Sequence, residues 1–99
     1  MTAARGSHAR DRRPHFVYEL WGRDGCLYVG RTAELPRRLH THSKKWWWED
    51  VIDVRASLVP NRTRALDRES ERIAELLPLH NIQGVDTEAR DQLLEARRA

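Results

Sequence analysis

The most constraining stretch of this chain is residues 16–29, where two strand-like runs flank a glycine-bounded turn. Phe16-Val17-Tyr18-Glu19-Leu20-Trp21 is rich in β-branched and aromatic residues, the composition of a strand. Gly22-Arg23-Asp24-Gly25 follows, and its Asp24-Gly25 pair is the strongest hairpin signal in the chain. Cys26 to Val29 then returns as a second strand, giving an antiparallel hairpin. Its two tyrosines, Tyr18 and Tyr28, should lie opposite or diagonal to each other across the pair. Either they simply stabilise the hairpin, or two phenols on one sheet face position or deprotonate a water.

The rest of the chain must cover that hairpin. The 3.6-residue period predicts a helix from about Glu34 to His42, with Leu35, Leu39 and His42 on one side and Pro36 tolerated in its first turn. Residues 51–59 read as a third strand closed by Pro60. A second helix is predicted from Arg62 to Leu77, capped by Asn61 or Thr63 and stopped by Pro78, with Ala65, Leu66, Ile73, Leu76 and Leu77 as its apolar stripe. A last amphipathic helix is expected over Thr87 to Arg98. Three short strands cannot bury both faces of a sheet alone. The expected fold is therefore α+β, a small three-stranded antiparallel sheet flanked by helices. The expected organisation is a flexible basic arm (1–14), one compact module (15–82) and a helical extension (83–99).

Composition narrows the class. Ninety-nine residues, 39% of them apolar, suit one domain with one modest core. A single cysteine, Cys26, excludes an intrachain disulfide framework and a cysteine-based zinc site. No apolar run approaches the ~20 residues that span a bilayer. The basic N-terminus has no apolar segment of the secretory kind, so the default expectation is a cytoplasmic protein without a membrane.

The net charge is only +3, but it is unevenly placed. Arg31, Arg37, Arg38, Lys44 and Lys45 face a single acid, Glu34, within residues 31–45. Such a block is either a solvated surface or a field focused on a phosphate backbone. Three consecutive tryptophans, Trp46 to Trp48, follow it. In an extended segment Trp46 and Trp48 would share one face and Trp47 the other, with at least one in the core. The others would stack on unpaired bases or form a protein-docking surface.

Glu69 stands in the middle of the second helix's apolar stripe. A carboxylate there must be paired, by Arg38 or another arginine, or hold a cation. A hard ion such as Mg²⁺ accepts one protein carboxylate, with waters and a phosphate completing its shell. Arg38 and His42 lie one turn apart on the first helix, where an arginine fork can hold phosphate oxygens. Asn81, just beyond the proline stop, is an exposed turn residue, a loop anchor or a phosphate contact.

Taken in order, Tyr18, Tyr28, Gly30, Arg38, His42, Glu69, Pro78 and Asn81 resemble the GIY-YIG endonuclease family. Phe16-Val17-Tyr18 is similar to its first motif, with Phe16 replacing the name-giving glycine. Tyr28-Val29-Gly30 matches the second, followed by Arg31-Thr32. The run from Ala65 to Asn81 matches the helix that carries the family's glutamate. The likeness covers roughly residues 15–82.

The resemblance implies hydrolysis of DNA phosphodiesters with one Mg²⁺ or Mn²⁺ held by Glu69. Tyr18 or Tyr28 would activate water, Arg38 would stabilise developing charge, and His42 would share the base role. Gly30, Arg31, Arg37, Lys44, Lys45, Trp47 and Asn81 are the candidate nucleic-acid contacts. Members that cut specific sites generally carry a further recognition or partner domain. Specificity here is therefore expected from DNA shape, the arm, the tryptophans, a homodimer or a protein partner. A non-catalytic nucleic-acid-binding module of the same fold and a partner-dependent nuclease subunit are the alternatives.

Overall fold

A computed structural model describes residues 12–81. Most of the arm (residues 1–11) and the predicted C-terminal helix lie outside the described residues. The element order is β1 (His15–Gly22), β2 (Gly25–Thr32), α1 (Leu35–His42), a short 3₁₀ turn (Trp48–Asp50), β3 (Asp53–Val59) and α2 (Arg62–Leu76). The three strands form one antiparallel sheet in the order β2-β1-β3. The small α+β architecture expected from the hydrophobic pattern is the one observed.

The hairpin turns through Arg23 and Asp24, with Gly22 opposite Gly25. Gly25 has φ +146°, a conformation that side chains strongly disfavour. The register slips between Leu20 and Trp21, so Tyr28 faces Leu20 while Cys26 faces Trp21. Beyond the slip, Tyr18 pairs with Gly30 on β2 and Ala56 on β3. Tyr28 is thus the diagonal neighbour of Tyr18 on the same face.

Alternation sorts the core onto two sides of the sheet. On one, Val17, Cys26 and Val29 pack with Ala65 of α2, joined by Trp21, Val59, Ile73 and Leu76. On the other, Tyr18 and Leu20 pack with Trp47, joined by Tyr28, Leu35, Leu39, Trp48 and Val51. Helices and the tryptophan segment therefore cover both faces of the hairpin. β3 is covered less, and Leu58 on the tyrosine face is 63% exposed.

α2 begins where Asn61 caps it, its side-chain oxygen accepting the Arg64 N–H at 2.9 Å. It ends at Leu77, a left-handed residue (φ 46°) whose N–H still reaches the Ile73 carbonyl. Buried Pro78 follows, and the chain then runs along the outer edge of β2. Leu79 N–H donates to the Cys26 carbonyl (3.2 Å) and His80 N–H to that of Leu27 (2.8 Å). Asn81 completes the edge by accepting the Val29 N–H (2.5 Å) and donating to the Val29 carbonyl (2.6 Å).

Candidate active site

The β1–β2 register brings Tyr18 over Gly30, and only glycine fits beneath it. A Cβ at Gly30 would lie 2.5 Å from the Tyr18 hydroxyl oxygen and 2.8 Å from the Tyr28 ring. The glycine's role is this close approach. With that space open, the buried Tyr18 ring extends to α1, where its hydroxyl hydrogen-bonds His42 Nε2 at 2.6 Å. Tyr28 lies beside both groups, its ring centroid 6.0 Å from Tyr18 and 4.5 Å from His42.

The charges acting on this pair come from both helices and from the turn that follows α1. Burial pushes the Tyr18 hydroxyl well above the usual phenol range; neighbouring Tyr28 and the Glu69 carboxylate add to the rise, and Arg38 opposes it. Burial also holds His42 below the usual imidazole range, assisted by Arg38 and Lys45. Both groups are therefore neutral at pH 7. In the tautomer with the ring proton on Nδ1, Tyr18 donates to Nε2. His42 Nδ1 is buried and has no hydrogen-bond partner among the described residues.

Glu69 projects from α2 toward β2. Its Oε1 stands 3.4 Å from Arg31 Nε, so the ion pair is with Arg31 and not with Arg38. The contact is loose, because that buried Nε makes no hydrogen bond. Burial raises the Glu69 carboxyl above its ordinary value, only partly offset by Arg31 and Arg38. The Arg38 side chain is exposed and makes no hydrogen bond or ion pair among the described residues, although its field reaches Tyr18, His42 and Glu69.

The donor set suits a cation sparingly. No cluster of three metal-ligating side chains occurs among the described residues. One loosely paired carboxylate fits a Mg²⁺ or Mn²⁺ that keeps most of its waters and takes further oxygens from a phosphate.

The outlying candidates separate. Arg37 pairs with Glu34 on the exposed side of α1 at 3.3 Å. Lys44 and Lys45 are exposed beyond it. Asn81 spends its amide on Val29 and so acts as a clamp on β2. The tryptophan segment is a turn and a 3₁₀ helix, not an extended run, which changes which rings face outward. Trp47 is 5% exposed, stacked on Tyr28 and on His80, the latter at 4.7 Å and 7°. Trp46 is 79% exposed and meets His80 edge-on. The outward-facing ring is therefore Trp46, and Trp47 is in the core. Pattern reasoning had no access to His80, which lies beyond the proline stop and reaches the tryptophans only through the return along β2.

Comparison of the chain with protein-family models, with curated proteins and with solved structures finds no match.

Proposed function

We propose that this protein is a divalent-metal-dependent endonuclease of the GIY-YIG kind, hydrolysing DNA phosphodiesters. One observation carries the reading: a buried Tyr18–His42 hydrogen bond, made possible by Gly30 and flanked by Arg38 and Glu69.

A phenol held above its normal range cannot release a proton to solvent at pH 7. It can pass one on. As water attacks phosphorus, Tyr18 accepts the water's proton while its own moves to His42 Nε2. Neutral His42 is thus the terminal base, and Tyr18 orients the nucleophile. Tyr28 walls the other side of the hydroxyl pair. Arg38, with no competing partner, neutralises charge growing on the non-bridging oxygens. A divalent ion held by Glu69, when bound, supplies further charge neutralisation at the phosphate and the leaving oxygen.

The test is cleavage of branched, nicked, single-stranded and duplex DNA by purified protein with Mg²⁺ or Mn²⁺. Nicking or cutting that disappears in Glu69→Ala supports the proposal. Salt-sensitive binding without cleavage, unaffected by Glu69→Ala, identifies a binding module instead.

A further inference from the structure

β3 closes the sheet on the side away from the site, and no described strand covers its outer edge. Asn81 takes both backbone groups of Val29, so Val29 points away from β1, and its partner Glu19 points toward β3. Alternation then directs the backbone groups of Asp53, Arg55, Ser57 and Val59 inward to β1. Those of Val54, Ala56 and Leu58 face outward, where no described strand pairs with them. Edges that must stay single carry charges, prolines or bulges. β3 has no proline or bulge between Asp53 and Val59, and its two charges, Asp53 and Arg55, pair with each other at 3.0 Å.

The strand is also complementary to itself. About a two-fold axis at Ala56, an antiparallel copy sets Val54 against Leu58 of the second copy, and Leu58 against its Val54. These are the residues whose backbone groups point outward, so ladder geometry and side-chain pairing agree. Both side chains lie on the tyrosine face and are exposed, at 39% and 63%. Arg55 meets Ser57 of the second copy and is already neutralised by its own Asp53 at 3.0 Å. No like charges stand directly opposite.

We propose that two copies of this chain associate edge to edge through β3, forming a continuous six-stranded antiparallel sheet with the two candidate sites on its outer ends. The occupant is a second copy because the apolar pairs and the outward backbone groups match under one axis, with Arg55 neutralised within its own strand. The contact is one strand pair, small against the ~1,000 Å² of a stable interface, so association is weak and is sought at roughly 10 µM to 1 mM.

Sedimentation of the full chain across that range tests the idea, with hydrogen exchange at the amides of Val54, Ala56 and Leu58. The expected result is a concentration-dependent doubling of mass, with slowed exchange at those three amides. Ala56→Pro removes an outward N–H that β1 does not use and should leave a folded monomer. Leu58→Lys, at an exposed site, should also abolish the dimer. A wild-type chain that stays monomeric throughout overturns the proposal. Monomers with protected β3 amides do so too, because another segment of the same chain then occupies the edge. Dimerisation undiminished in both folded variants would place the interface elsewhere.

Discussion

In the proposed reaction Tyr18 and His42 divide one task between them, and their titrations predict how each variant behaves. Tyr18→Phe should leave the fold intact and reduce cleavage by about 10²- to 10⁴-fold, measured as single-turnover rate. Because His42 must be neutral to receive the proton, the rate should fall on the acid side at a pH below the ordinary imidazole range. His42 also links stability to pH. Its folded value lies below its unfolded one, so stability falls as pH drops through about 6.5 toward the folded value. Glu69 has the opposite sign: its folded value is raised, so ionising it costs stability as pH rises through about 4.5. Glu69→Gln should therefore raise Tm at neutral pH while eliminating metal-dependent cleavage, a trade of stability for a charge held at the site. An unchanged Tm, followed by thermal melts at pH 7, would mean the carboxylate is better solvated than its burial indicates. Gly30→Ala should lower both Tm and activity, since the new methyl group collides with the Tyr18 ring.

At the scale of elements, the hairpin, both helices and the third strand were legible because each carries a local signature: the Asp24-Gly25 turn, the apolar periods, the Asn61 cap and the Pro78 stop. Contacts between elements were less so. Periodicity placed Glu69 on an inward face but could not say that Arg31, on the facing strand, would meet it before Arg38 did. Nor could composition show that Trp46 to Trp48 curl into a turn, since three aromatic residues are compatible with a strand. The network across α2 and β1 was not anticipated at all. Arg72 holds Glu19 at 2.6 Å and Glu75 at 2.8 Å, and Glu19 also accepts from Trp21 Nε1 at 2.9 Å. Burial alone would raise the Glu19 carboxyl, but the hydrogen bonds from Arg72 and Trp21 outweigh it and hold the group low. That contribution is present above about pH 4.5 and is lost as pH falls through the lower folded value. Arg72→Ala should cost about 2 kcal/mol by urea denaturation, and the loss should shrink in acid.

For the molecule as a whole, charge placement matters more than the sum. A nuclease of the proposed kind, of small net charge but with Arg38, Lys44 and Lys45 exposed within one short segment, should bind DNA with a marked dependence on salt. Replacing both lysines with alanine should flatten the slope of log affinity against log salt by about 2 units. A binding isotherm series at several salt concentrations checks this. An unaltered slope would remove the lysines from the interface. Trp46→Ala should weaken single-stranded DNA more than duplex, because only unpaired bases offer a face to stack.

The return of residues 79–81 along β2 also has a mechanical consequence. Tension applied at residue 81 loads those hydrogen bonds one after another, beginning with the pair between Asn81 and Val29. The β1–β3 ladder on the far side carries none of that load until the edge has peeled. Under force, or in any fluctuation that lifts this segment, β2 should loosen next to Tyr28, Gly30 and Arg31 while the remaining sheet persists. In an optical-tweezer extension trace, a small early step sensitive to Asn81→Ala would mark that release, with the arrangement of Tyr28, Gly30 and Arg31 failing well before the domain does.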